Sequence, residues 1–341
     1  MTQSFMAAEV AEIPQAAARF LDLSRGAVAD AAAALQRADP TLVVTVARGS
    51  SDHAATYLKY AVELLAGIPV ASVGPSIASI YNRPLRLAGA ACIGISQSGR
   101  SPDIVEMMRA AGAGGALTIA ITNFADAPMA QASAHCLALQ AGLEQSVAAT
   151  KTFATSVLAA LSLLAEWQKD ADLRAAVAGL PDAFAKALTE DWSPLAARLS
   201  RAQSLYVLGR GPGFAIANEA ALKFKETCGL HAESYSAAEV LHGPSAIVQA
   251  RFPVFALGVE DAALPHVIAT AERLAAQGAD VFVTGGAAKG AVLLPSVTGL
   301  HPLVAPLVLA VSFYAFIEAL ARRRGFDPDT PPHLRKVTET R

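Results

Sequence analysis

The chain has 341 residues, 53% of them apolar and only 16% charged, with a formal net charge of −2. Such a chain can build two globular domains with separate cores and is not intrinsically disordered. It has no basic field for DNA or RNA, so any bound anion must be held by local donors.

Residues 8–38 are predicted helical from alanine-rich amphipathic runs. Leu42–Val46 reads as a strand, Asp52–Leu65 as a helix and Pro69–Val73 as a short strand. Ala90–Ile95 is an apolar run expected as a buried strand. A helix follows from Pro102, then a strand at Leu117–Ile121 and a long helix over roughly 147–168. The pattern then restarts. Ser204–Leu208 is a strand, with a helix to about Cys228; a strand at 253–259, a helix at 262–277, a strand at 280–284 and a helix at 303–324 complete it. Strands separated by helices predict parallel sheets covered on both faces, an α/β architecture.

Val46-Ala47-Arg48-Gly49 and Leu208-Gly209-Arg210-Gly211 sit at strand-to-helix turns about half the chain apart. We read a duplication of one α/β domain, with a linker expected near 172–195, around Pro181 and Trp192-Ser193-Pro194. Cys92, Cys136 and Cys228 are far apart in apolar contexts with no C-x-x-C, which predicts buried thiols in a reducing, cytoplasmic setting and no disulfide framework or zinc site. Met1 to Phe5 carries no basic region followed by a long apolar stretch, so no secretory signal is expected. Leu303–Ile317 is the most membrane-like segment, but it is too short to span and contains Pro306; a buried core helix fits it better, and no membrane partner is expected.

The most informative stretch is Ser96-Gln97-Ser98-Gly99-Arg100-Ser101-Pro102-Asp103. Three hydroxyls, an amide and a glycine sit where a strand ends and a helix begins. Backbone N–H groups and the helix dipole favour an anion there, and serines add donors. Ser101 is a suitable N-cap and Pro102 a suitable first helical residue. The plain alternative is a polar turn with a helix cap. At the equivalent place the second half has Val259-Glu260-Asp261-Ala262, whose acids would repel a phosphate, so one anion site per chain is expected. Downstream, Glu219, Lys223 and Glu226 share one helix face at i, i+4 and i+7. Taken alone they read as a solvent-exposed, salt-bridged stripe, and His242 beside Gly243-Pro244 as a structural histidine.

Several motifs in order along nearly the whole chain resemble the double-SIS sugar isomerase family, and most closely the isomerase portion of glucosamine-6-phosphate synthase. They are Met6–Pro14, Ala47–His53, Ile95–Asp103, Glu144–Lys151, Gly209–Pro244 and Pro332–Thr338. The resemblance implies two tandem SIS domains, each a doubly wound, mainly parallel, flavodoxin-like sheet flanked by helices, at 1–180 with the phosphate site and 195–341 with the acid/base residues and tail. It implies that Ser51, Ser96, Gln97, Ser98 and Ser101 hold a sugar 6-phosphate and that Glu226 moves a proton between carbons 1 and 2. By the same resemblance, His242 of the neighbouring subunit in a homodimer opens the sugar ring. Lys336 lies over carbons 1 and 2, and Lys223 and Val147 line the pocket. An aldose–ketose shift needs a carboxylate that takes and returns a carbon-bound proton, and a positive or hydrogen-bonding group for the enediol-like charge.

Two departures bear on function. The family often has serine where this chain has Ala149. The glutamine-using enzyme carries an N-terminal glutaminase domain beginning in a nucleophilic cysteine, which this sequence lacks, with no cysteine before Cys92. The leading expectation is therefore a glucosamine-6-phosphate deaminase/isomerase giving fructose 6-phosphate and ammonia. The alternatives are an aldose–ketose isomerase of another hexose or galactosamine phosphate, an enzyme of a glycated amine phosphate, and a non-catalytic sugar-phosphate sensor. No metal or nucleotide cofactor is expected. The histidines lack ligand spacing, and in Gly209-Arg210-Gly211-Pro212-Gly213 proline interrupts the dinucleotide pattern.

Overall fold

The computed structural model describes residues 3–336, so Val337 and Thr338 of the tail motif lie outside the described residues. The chain forms two compact units. The N-terminal unit comprises Ile13–Glu144, Lys151–Gly179 and the tail from Arg335; the C-terminal unit comprises the chain up to Glu12, Gln145–Thr150 and Leu180–Leu334. The helix Phe5–Ala11 and the tail at Lys336 are thus each counted with the unit opposite to the one expected from sequence order.

The N-terminal unit holds strands β1 (Leu42–Val46), β2 (Val70–Ser72), β3 (Ala90–Ile95), β4 (Leu117–Thr122) and β5 (His135–Ala138) in the order β2-β1-β3-β4-β5. Every pair is parallel. All six residues of β3 are buried, as a central parallel strand covered on both faces requires. Ile104, Met107, Met108 and Ala111 of helix Pro102–Ala113 pack with Val44, Val46, Cys92 and Ala120 of the sheet. A second group of helices, Arg25–Ala38 and Ser50–Leu65, packs on Lys151–Trp167, in which every residue except Glu166 is buried.

The C-terminal unit holds β6 (Ser204–Gly209), β7 (His231–Ser236), β8 (Pro253–Ala256), β9 (Asp280–Val283) and β10 (Val292–Leu293) in the order β10-β9-β8-β6-β7, again all parallel. Counted from its own first strand, this is the same flavodoxin-like order as in the N-terminal unit. The repeat extends to the backbone: Gly49 (φ 56°, ψ −133°) and Gly211 (φ 58°, ψ −139°) start corresponding helices in the same positive-φ conformation. The helix Ala305–Arg323 is long and apolar enough to cross a membrane, but its most apolar window is 83% buried within the protein. It packs on Pro212–Cys228, with Phe313 and Phe316 against Phe224, and serves as a core helix.

Three strands were not anticipated, and all three, β5, β7 and β10, lie at sheet edges. An edge strand buries less and carries mixed side chains such as His-Ala-Glu-Ser-Tyr-Ser in β7, so its period is blurred. The expected linker is helical: Ala171–Ala178, Leu180–Ala187 and Ser193–Leu199 occupy it. Pro181 and Pro194, taken as linker signals, instead sit at helix starts, where proline's missing N–H is harmless.

Candidate functional site

Ser51, Ser96, Gln97, Ser98 and Ser101 come together around one cavity of about 330 Å³ in the N-terminal unit. Arg48, Gly49, Ile95, Ile104 and Lys336 complete its lining. The loop is held from behind. Gln97 O accepts from the Asn123 N–H at 3.1 Å, and Gly99 O accepts from Met129 N–H at 3.0 Å. Gly99 has φ +60°, and a Cβ there would lie 2.7 Å from both Ala127 Cβ and Thr122 Oγ1, so only glycine fits. Ser96 Oγ accepts from Gly99 N–H at 3.2 Å and Ser98 Oγ from Arg100 N–H at 3.3 Å, leaving each hydroxyl hydrogen to give. Ser101 stands at the N-cap of helix Pro102–Ala113, as expected, but its hydroxyl does not cap the helix. A ring of donors at a helix start with spare hydrogens suits an anionic oxygen cluster.

Two cations line the same cavity, each tied to a buried carboxylate. Arg48 donates from Nε (2.9 Å) and Nη2 (2.7 Å) to Asp103 Oδ2. Lys336 Nζ donates to Glu144 Oε2 at 2.8 Å. Glu144 also accepts from the backbone N–H and the hydroxyl of Thr152, at 3.0 and 2.6 Å, in the first turn of helix Lys151–Trp167. Burial pushes the Glu144 carboxyl up. The Lys336 ammonium and the hydrogen bonds from Lys336 and Thr152 outweigh it, and the group stays below its ordinary range. Lys151, also buried, donates to Leu143 O at 2.9 Å and fixes the loop leading into Glu144.

In the C-terminal unit, Glu219, Lys223 and Glu226 do share one face of helix Pro212–Cys228, but they are not a solvent-exposed stripe. The Lys223 side chain is fully buried, 3.2 Å from Glu219 Oε1 and 2.5 Å from Glu226 Oε2. Glu219 is buried too and accepts from Tyr314 Oη at 3.0 Å. Burial pushes the Lys223 ammonium down, yet the two carboxylates overcome this and hold it above its ordinary value, fully charged. The Glu226 side chain keeps 20% exposure. It borders a cavity of about 420 Å³ with Leu222, Lys225, Gly229, Phe326, Pro332 and Leu334. A carboxylate paired with a buried cation, with a face open to a cavity, is placed to take a proton from a substrate.

A family model described as the SIS domain matches residues 38–166 and 198–287, one match on each sheet. The chain belongs to the SIS domain family. Among curated relatives, glutamine–fructose-6-phosphate aminotransferase [isomerizing] of Aeropyrum pernix is 34% identical over 354 residues, covering 98% of this chain and 57% of the relative. The same-named protein of Leifsonia xyli is 32% identical, covering 98% of this chain and 58% of its own length. The chain therefore spans a little over half the length of these relatives. A solved structure from Silicibacter pomeroyi DSS-3, assigned to the phosphosugar isomerases, is 53% identical with a TM-score of 0.93, over 96% of this chain and all of that one.

On this SIS scaffold, the remaining expected residues fall in the C-terminal unit. His242 is exposed at the end of the short 3₁₀ turn Glu239–Leu241 after β7, and it is not among the residues lining the Glu226 cavity. Two residues beyond His242, Pro244 O accepts from the Tyr206 hydroxyl of β6 at 3.0 Å. Val147 is half-buried and its N–H donates to Asp329 O at 3.2 Å. The neighbouring Ser146 is fixed by the buried Glu9 of the first helix. Three contributors carried no role in the sequence reading: Arg48, Asp103 and Glu144. Each lies inside a quoted motif, but only the fold shows that a carboxylate 55 residues downstream meets Arg48.

Proposed function

We propose that the chain is a phosphosugar isomerase of amino sugars, converting glucosamine 6-phosphate and water to fructose 6-phosphate and ammonia. The observation that carries this reading is the Glu219–Lys223–Glu226 arrangement. A buried cation pairs with Glu226 while the Glu226 side chain stays accessible. Such a group suits the abstraction of the proton on carbon 2 of the opened sugar and its return to carbon 1. The shift converts the aldehyde–amine into a ketone imine, which water hydrolyses with loss of ammonia. In this reading the donors of Ser51, Ser96, Gln97, Ser98 and Ser101 hold the 6-phosphate. Lys336 stabilises the enediol-like charge, Val147 and Lys223 shape the pocket, and His242 of a second subunit in a homodimer opens the ring. The relatives' name, with fructose 6-phosphate and isomerisation in it, supports the substrate class for the part of their length that this chain spans.

The test is direct. Purified protein is supplied with glucosamine 6-phosphate, and ammonia and fructose 6-phosphate are measured together; equal amounts of both are expected. Ketose without ammonia from non-amino hexose 6-phosphates would replace this reading by plain aldose–ketose isomerisation. Binding of sugar phosphate with no product from any hexosamine or hexose phosphate would replace it by a sensor.

A further inference from the structure

We propose that Arg48 is a further ligand of the phosphate in the serine cavity, and that Asp103 is the positioning residue that aims it. The inference rests on the reading of that cavity as the sugar-phosphate anchor and adds a residue to it. Arg48 lies in the turn between β1 and helix Ser50–Leu65, one residue before the positive-φ Gly49, and it lines the cavity with Ser51 and the serine loop. Its side chain is 52% exposed, whereas that of Asp103 is completely buried. The pair is one-sided: Nε and Nη2 both address Asp103 Oδ2, while Oδ1 accepts from Ile104 N–H. Nη1 has no protein partner among the described residues. A guanidinium has five N–H groups in a planar fork, so one held along a single edge presents its other edge with fixed geometry.

The charges around the cavity make the same point. Asp103 stands in the first turn of helix Pro102–Ala113, the end whose N–H groups favour an anion. An unmasked carboxylate there would repel phosphate, and Arg48 neutralises it. The other cation at the cavity, Lys336, is engaged by Glu144. The serines and Gln97 are neutral donors. Arg48 is paired as Lys336 is, but its half-exposed fork keeps Nη1 clear of Asp103, so it can add a charge-assisted contact to phosphate while being fixed before the ligand arrives, which spares the ordering cost of a long side chain.

The full chain is titrated with inorganic phosphate by calorimetry, in the wild type, Arg48→Gln, Asp103→Asn and the double variant. Loss of one charge-assisted contact should weaken phosphate binding roughly 10- to 100-fold in Arg48→Gln. Asp103→Asn, which leaves the guanidinium in place but poorly aimed, should weaken it several-fold. In the double variant the Asp103 change should add no further loss and should recover part of it, since no carboxylate is left unmasked. The double variant removes both members of the pair together, so it also tests binding should Arg48→Gln fold poorly. Phosphate affinity at the wild-type level in Arg48→Gln, or losses that simply add in the double variant, would overturn the proposal. Normal binding by the variants with ammonia release by the wild type sinks this inference alone. Weakened binding with no product from any hexosamine phosphate sinks the deaminase reading alone.

Discussion

The loops after β3 and after β8 occupy the same place in two copies of one topology, yet they have opposite contents. After β3, serines ring a cavity of about 330 Å³. After β8, only about 10 Å³ remains among Gly258–Glu260, Gly285, Ser296–Thr298 and Leu300. The difference is packing as well as charge. Thr284 Oγ1 accepts from Gly258 N–H at 3.1 Å and donates to Gly258 O at 2.8 Å, and Glu260 accepts from Gly299 N–H at 2.8 Å. The polar groups that face outward in one copy are consumed internally in the other. A duplicated fold thus keeps its backbone signal, the paired Gly49 and Gly211 turns, while among the described residues the loop after β3 opens on a hydroxyl-lined cavity and the loop after β8 does not.

The sharpest break in that comparison concerns chemistry. If the N-terminal unit anchors and the C-terminal unit reacts, Glu226→Gln should lower kcat for ammonia release by about 10²- to 10⁴-fold. Phosphate affinity measured by calorimetry should stay within a few-fold of the wild type. A loss of phosphate binding equal to the loss of turnover would erase the division of labour. Lys223→Met should cost stability as well, about 3–5 kcal/mol, because two carboxylates lose a fully buried cation. Urea unfolding would read this. The triple variant with Glu219→Gln and Glu226→Gln should regain much of the loss, because no buried charge is then left uncompensated.

The same contrast shows what the sequence could and could not reveal. The serine loop was legible because its chemistry is local: donors, glycine, cap and proline lie within eight residues. The repeated Arg-Gly turn was legible for the same reason. The exposed-stripe reading of Lys223 taken alone fails because an i, i+4, i+7 pattern of charges looks the same on a surface and in a core. Its burial comes from helix Ala305–Arg323, whose Tyr314 bonds Glu219 from 95 residues away. The Glu144–Lys336 pair spans 192 residues and leaves no periodic trace at all.

Gly99 and Gly211 separate a glycine required by contacts and backbone from one required by backbone alone. Gly99→Ala meets Ala127 and Thr122 as well as a positive φ, and should cost about 1–3 kcal/mol together with phosphate affinity. At Gly211, where a Cβ would meet nothing within 4 Å, the same change should cost only the backbone strain of its φ 58°, ψ −139° conformation, about 1–3 kcal/mol, with phosphate affinity unchanged. Thermal melts with and without phosphate compare the two. Lys336→Met tests the tail: it removes the ion pair to Glu144 and leaves the Thr152 hydrogen bonds in place, and about 1–2 kcal/mol of stability should go at neutral pH. Because the folded Glu144 value lies below the ordinary 4.5, its contribution is full above that pH and fades as pH falls through the lowered folded value. Urea midpoints of wild type and Lys336→Met should therefore converge in acid. A gap that persists at the acid end would mean that the tail is held by packing instead of by the ion pair.

The smallest expected effect is the most discriminating for the loop after β8. The doubled change Glu260→Gln and Asp261→Asn removes both acids that would repel an anion. It should cost well under 2 kcal/mol, since amides still accept the Gly299 and Ala263 N–H bonds. It should not create a second phosphate site. A space of about 10 Å³ is at the lower limit for one water, and the donors around Gly258 are already taken by Thr284. Calorimetry should keep one phosphate per chain before and after the change. A second equivalent of phosphate in the variant would mean that charge alone silenced the duplicate, and that the closed packing follows from the ion's absence instead of causing it.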